Sequence, residues 1–216
     1  MKCKGENMRI IEPSYIIEDE IDAQRMMRTI ERAGRTCYKS EHNISEGSAE
    51  KFIANIIKRG HESVIEHEKI TVRFICDRGV THEMVRHRLA SYSQESTRYC
   101  NYANDKFGNE LTFIKPCFWD ENTKEGKTKM ELWKKSMQNI ENEYNELISL
   151  GARPEEARSI LPNSLKTEIV VTMNLRSWRN FFRLRTAPAA HPQIRQIASA
   201  LLEELKERLP VVFGDL

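Results

Sequence analysis

Residues 69–77 read KITVRFICD, and the fold class turns on them. Ile70, Val72, Phe74 and Cys76 alternate with Thr71, Arg73 and Asp77, which is the period of a strand with one face on a core. Two amphipathic helices precede it. Ala23, Met26, Met27, Ile30 and Ala33 recur at helical spacing over residues 22–33, with Gly34 as a stop. Ala49, Phe52, Ile53, Ile56 and Ile57 do the same over residues 46–59, between Ser45 as N-cap and Gly60 as terminal glycine.

Downstream, a helix is predicted from Val80 to Leu89, then a loop through a Ser-rich stretch and a short strand near LTFIKP. The longest helix spans Lys127 to Leu150, where Met130, Trp133, Met137, Ile140, Tyr144 and Leu147 form a seam that suits packing and could serve another subunit. Pro154 opens a short helix that ends by Pro162. KTEIVVTMN, 166–174, is a second strand, and Asn174 is placed to cap the helix LRSWRNFFRLR. Pro192 opens the last helix, with Ile194, Ile197, Ala198, Leu201, Leu202 and Leu205 inward. Helices and strands mix without regular βαβ alternation. The expectation is α+β: a single domain over residues 1–216, with an antiparallel or mixed sheet flanked by amphipathic helices.

Composition narrows the class. With 216 residues, 39% hydrophobic and 31% charged, the chain suits one soluble globular core. No apolar run is long enough to cross a bilayer and the N-terminus lacks a signal-peptide stretch, so it reads as cytoplasmic. Cys3, Cys37, Cys76, Cys100 and Cys117 are scattered singly and read as reduced thiols, not as a disulfide framework or zinc ribbon. A net charge of +2 argues against a wholesale polyanion binder. The charge is uneven, however: between Ile169 and Leu202 there is no acid, while Arg176, Arg179, Arg183, Arg185 and Arg195 fall there.

Helical geometry sorts these arginines. Arg176, Arg179 and Arg183 share one face, which reads as solvated, opposite Trp178, Phe181 and Phe182. Arg185 falls among the aromatics, where a charged guanidinium needs an anionic partner from elsewhere in the fold or from a ligand. In the preceding helix, Arg88 falls inside the apolar arc of Val80, Met84, Val85 and Leu89, and needs an acceptor too. Glu83 and Arg86 fall on the polar side. Planar bidentate donors suit phosphate and the carbonyl edge of a base, so a nucleotide ligand is the leading expectation.

Standard devices are missing. Nine glycines supply no G-x-G-x-x-G, and EGKT at 125–128 lacks the first P-loop glycine, reading instead as a charged surface turn. HESVIEH, 61–67, has the wrong spacing for H-E-x-x-H; no metal is expected, and His61 and His67 read as polar loop residues. Ser91, Ser93 and Ser96 lie near His87, but no G-x-S-x-G elbow surrounds them, and spacing alone leaves a serine nucleophile open.

RHRLASYSQES, 86–96, resembles the R-H-R-x7-S signature of the flavin-dependent thymidylate synthases, matching at Arg86, His87, Arg88 and Ser96. RTCY at 35, GHESVIEH at 60, EARSILP at 156 and TMNLRSWRNFFRLR at 172 agree in order, so the likeness covers nearly the whole chain. It implies a homotetramer with shared active sites that binds FAD, dUMP, 5,10-methylenetetrahydrofolate and NADPH, makes dTMP, and uses no cysteine nucleophile.

Residue by residue, the resemblance implies that Arg185 is catalytic, favouring ionised N3 of dUMP so that C5 becomes a better nucleophile. It implies dUMP contacts from Glu83, Met84, Val85, Arg86, Gln94, Glu95, Ser96, Thr97, Arg98, Arg158 and Arg185. Within that set Ser96 lies near the pyrimidine and Arg98 near the phosphate. It implies FAD contacts from His61, Ser63, Arg86, His87, Arg88, Gln94, Asn174, Leu175, Arg176 and Asn180. Some family members carry Glu where this chain has Gln94, which keeps hydrogen bonding and drops the charge. No role is assigned to His191. The rival expectation is a non-catalytic nucleotide- or RNA-binding protein that uses the same Arg and aromatic surface.

Overall fold

The structure, a computed structural model, describes residues 8–102 and 110–216; Cys3 lies outside them. In chain order the elements are β1 (Arg9–Ile11), β2 (Ser14–Ile17), α1 (Ala23–Thr36), α2 (Ser48–Lys58), β3 (Lys69–Asp77), α3 (Arg78–Met84), β4 (Ala90–Gln94) and β5 (Thr112–Ile114). There follow α4 (Lys124–Ser149), α5 (Pro154–Ala157), β6 (Lys166–Asn174), α6 (Leu175–Arg185), α7 (Pro192–Arg208) and α8 (Pro210–Phe213). The α+β expectation holds: four strands form an antiparallel sheet in the order β2-β3-β6-β4, and β1 pairs in parallel with β5.

The residues group into two compact units. One collects residues 8–14, 75–82, 94–102 and 110–169; the other collects Tyr15–Phe74, Glu83–Ser93 and Val170–Leu216. In the first unit, Met137 and Tyr144 of α4 pack with Tyr102, Leu111, Phe113, Ala157 and Leu165, and Trp133, Ile140 and Leu147 lie against that cluster. The seam of α4 is therefore committed to its own unit. EGKT forms the first turn of α4, not a surface turn: Thr123 caps the helix by accepting the Gly126 N–H at 2.9 Å.

In the second unit, Ile70, Val72 and Phe74 of β3 are fully buried, as are Ile194, Ala198, Leu201 and Leu205 of α7. Each of these side chains other than that of Ala198 contributes roughly 1.5–3 kcal/mol through burial. Two helix ends differ from expectation. Gly34 does not stop α1 but lies inside it, where an added Cβ would stand 2.6 Å from the Phe52 ring and 2.8 Å from Val64; its missing side chain lets other side chains approach. Ser45 is not the cap of α2; Gly47 holds that place at φ +72°, and the Ser48 hydroxyl bonds Ser45 and Glu31 instead.

A larger difference concerns the stretch after β3. The predicted helix to Leu89 ends at Met84, and the Ser-rich segment is a strand, β4. The reason is Tyr92, whose hydroxyl lies 2.8 Å from the Met84 carbonyl and 2.8 Å from the His87 carbonyl. The single hydroxyl proton is shared between the two, and the Met84 carbonyl also accepts the His87 N–H at 3.0 Å, so it is satisfied without another helical turn. Arg88 is thereby exposed and, contrary to expectation, needs no buried acceptor. His87 takes the buried place instead, edge-on to Phe181 at 5.0 Å.

Among the described residues no helix is long and apolar enough to cross a membrane, and Cys37, Cys76, Cys100 and Cys117 are not joined in disulfides.

Candidate functional site

The expected site residues fall into two groups, one in each unit. In the second unit the centre is Arg185, at the end of α6. Its Nη1 donates to Glu83 Oε2 at 2.6 Å, its Nη2 to the Glu83 carbonyl at 3.1 Å, and its Nε to His87 Nε2 at 2.8 Å. The anionic partner that helical geometry demands is thus the carboxylate of Glu83. Three of the five guanidinium N–H groups are used, which leaves two.

Because a guanidinium only donates, His87 Nε2 must accept, and the neutral imidazole carries its proton on Nδ1. Burial, aided by the Arg185 charge, pushes the His87 pKa down to about 4. His87 is therefore a fixed neutral acceptor, and its Nε2 is not free to act as base for Ser91, Ser93 or Ser96.

Helix α6 starts where β6 ends. Asn174 caps it by accepting the Ser177 N–H at 2.8 Å, while the Leu175 N–H donates to the Glu68 carbonyl at 3.0 Å. Trp178, Phe181 and Phe182 are buried together, and Trp178 donates to the Ile70 carbonyl at 2.9 Å. The expectation of a solvated arginine face holds for Arg176 and Arg183 but not for Arg179, which is fully buried. Its Nε donates to Glu62 at 3.1 Å, its Nη1 and Nη2 to Asp215 at 2.5 and 2.7 Å, and Nη1 also to the Val212 carbonyl. Burial works against that charge, and the Asp215 and Glu62 carboxylates outweigh it, raising the Arg179 pKa.

The turn Glu62–His67 runs alongside α6. Glu62 also meets Arg183 at 2.7 Å, and Glu66 meets Arg176 at 2.6 Å. Burial opposes ionisation of Glu62, but the Arg183 and Arg179 contacts win and hold its carboxyl below the usual range. His61, Ser63, Arg86, Arg88, Arg176 and Asn180 are exposed in this unit, whereas the Met84 and Leu175 side chains lie in the core and Val85 is half exposed.

In the first unit, Gln94 donates to Thr81 Oγ1 at 3.0 Å and to Thr167 Oγ1 at 3.4 Å. Glu95 accepts from Tyr102 at 2.8 Å and from Lys166 at 3.1 Å, so its carboxylate is committed to an internal network. Ser96 Oγ accepts the Arg98 N–H at 3.3 Å in a turn, and Arg98 lies over the Tyr99 ring. Arg158 is exposed and reaches buried Thr97 at 3.5 Å.

Sequence reading missed Glu62, Tyr92 and Asp215. Glu62 had a signal, since Glu62, Glu66 and Glu68 cluster in one stretch while the distant Ile169–Leu202 segment holds arginines and no acid. Tyr92 and Asp215 had none.

The fold and these groups define an α+β protein whose arginine, amide and hydroxyl donors suit small anionic ligands. A family model described as thymidylate synthase complementing protein matches residues 21–211. The flavin-dependent thymidylate synthase of Pyrococcus furiosus is 42% identical over 176 residues, which cover 81% of this chain and 70% of that one. Enzymes of the same name from Geobacter sulfurreducens (33% over 190 residues, 85% and 78% covered) and Corynebacterium efficiens (34% over 212 residues, 94% and 84%) are similar as well. The chain belongs to the thymidylate synthase complementing protein family.

Proposed function

We propose that this chain is a flavin-dependent thymidylate synthase that converts dUMP to dTMP, with 5,10-methylenetetrahydrofolate as one-carbon donor and NADPH as reductant of FAD. The observation that carries this reading is the threefold anchoring of Arg185. A partly buried cation, fixed on Glu83 and His87 with two N–H groups left, is a preorganised partner for a planar anion. Such a charge favours ionisation of a nearby acid, here N3 of uracil, and the electron density gained at C5 makes that carbon the nucleophile.

The remaining roles follow from chemistry. Arg98 and Arg158 supply charge for the phosphate of dUMP, with Ser96 and Thr97 as hydroxyl partners. Glu83 to Arg86 and Gln94 position the base, and Glu95 holds its segment through Tyr102 and Lys166. Flavin, when bound, supplies the hydride.

The donor chemistry fits that cofactor. His61, Ser63, Arg86, Arg88, Arg176 and Asn180 present donors in one compact unit, suited to a diphosphate and to carbonyl edges. Arg176 shares Glu66 in an exposed pair worth about 0–1 kcal/mol, which a diphosphate displaces at little cost. His87, Asn174 and Leu175 support them within the same unit, and the Gln94 amide is a further flavin donor. Active sites shared within a homotetramer, working in the cytoplasm, complete the proposal.

An RNA-binding reading has less support. Trp178, Phe181 and Phe182 are buried and cannot stack on bases. Purified protein decides the matter. Flavin absorbance that co-purifies or is restored by added FAD, with NADPH-dependent conversion of dUMP to dTMP, supports the enzyme. A protein that takes up no FAD and makes no dTMP sinks it.

A further inference from the structure

We infer that Asp215, Arg179 and Glu62 form a positioning strut that fixes the segment His61–Ser63 for flavin binding. The inference rests on the reading of His61 and Ser63 as flavin ligands, and none of the three strut residues belongs to that ligand set.

The geometry is continuous. Arg179 sits in the middle of α6 with no exposed side-chain surface, and its guanidinium is divided between two carboxylates. One edge is bidentate to Asp215, which follows α8, while Nε reaches Glu62 between the two proposed ligands. Arg183, one turn further along α6, holds the same Glu62 carboxylate at 2.7 Å. Rotation of the Glu62 side chain would leave the buried Arg179 edge without its acceptor, so the turn has one stable setting.

Asp215 keeps that setting from the far side. Its two oxygens fix the plane of the Arg179 guanidinium, and the direction of Nε follows from that plane. Removing the Asp215 charge leaves that edge of the guanidinium held chiefly by the Val212 carbonyl at Nη1, so its plane is less firmly set and Glu62 shifts with it. The ligands that flank Glu62 then lose their preorganisation, although neither has been altered.

The test uses the full chain, with Asp215→Asn, Asp215→Glu and Glu62→Gln compared with wild type. Affinity for FAD is read from quenching of flavin fluorescence, well below the melting temperature of each variant, and KM for dUMP is read at saturating FAD. Asp215→Asn and Glu62→Gln should each weaken FAD binding by about tenfold or more, by analogy with the low end of what outer partners contribute at metal sites. Asp215→Glu, which keeps the charge, should restore most of the affinity, and KM for dUMP should move much less than the FAD affinity.

If the variants melt earlier but bind FAD as wild type does, the strut is only structural and the inference is wrong. If Asp215→Asn does not fold, Glu62→Gln decides. If neither folds, hydrogen exchange on wild type decides: FAD should protect the amides around Glu62 and Asp215 together, and protection confined to the Glu62 region overturns the strut. Wild type that binds no FAD overturns the functional reading and the inference with it, whereas unchanged variants of a flavin-binding wild type overturn the inference alone.

Discussion

Arg185 donates its Nε–H to His87 Nε2 at 2.8 Å, so a cation and an imidazole share a hydrogen bond that exists only while the imidazole is neutral. Protonation of His87 would remove the acceptor and set two positive charges against each other. The relationship makes the Arg185 anchor sensitive to acid.

That sensitivity has a definite sign. His87 titrates at about 4 in the fold against an ordinary 6.5. In the window between them the unfolded chain binds more protons than the folded one, so stability is full above the upper value and falls as pH drops toward the lower. The loss reaches roughly 3 kcal/mol. His87→Gln keeps an acceptor near Nε2 and cannot titrate. Urea unfolding across this window should show a steeper loss of stability for wild type than for the variant, and parallel curves would refute the assignment.

Arg185→Lys keeps the charge and loses the planar fork that meets Glu83 twice and His87 once. Turnover of dUMP should fall by about 10²-fold or more, as when a single preorganised donor is lost. Turnover near the wild-type rate in steady-state assays would remove Arg185 from the chemistry.

Glu141 of α4 is buried and accepts the Leu111 N–H at 2.7 Å and Gln138 at 3.1 Å. Burial raises its pKa, and neither hydrogen bond compensates fully. The folded chain therefore holds this proton more tightly than the unfolded one, and the ionised carboxylate costs stability at neutral pH. Glu141→Gln should melt at a higher temperature than wild type near neutral pH, with the gain fading as pH falls through the raised folded pKa and gone once it reaches the ordinary carboxylate value. A variant that melts lower at neutral pH would show that Leu111 needs the charge.

Gly34→Ala should gain about 1 kcal/mol of helix propensity in α1. The new methyl would meet the Phe52 ring at 2.6 Å, and overpacking of this kind costs about 1–3 kcal/mol. Thermal melts should therefore show net destabilisation, relieved when Phe52→Leu is added. A rise in melting temperature for the single variant would mean that Phe52 yields freely.

Local periodicity made the strands KITVRFICD and KTEIVVTMN, the inner face of α7 and the Asn174 cap legible, because each depends on neighbours a few residues away. What escaped depends on distant partners. Helix α3 stops at Met84 because Tyr92 returns to the Met84 carbonyl, and Arg179 is buried because Glu62 and Asp215 arrive from 117 residues before it and 36 after it. Helix geometry revealed that Arg185 needed an anion, but not that Glu83, 102 residues earlier, supplies it. The same geometry misplaced Arg88, since it assumed a helix that the chain leaves one turn sooner.

Asn174 is both the last residue of β6 and the cap of α6, so no linker separates strand from helix. One inserted residue in the first turn of α6 would rotate everything beyond it by about 100°. Arg179 would swing away from its two carboxylates, and an aromatic ring would turn toward water. The corner is a joint without slack. New chemistry on this helix can arise by exchanging side chains, while changes of length at its start would be ruinous.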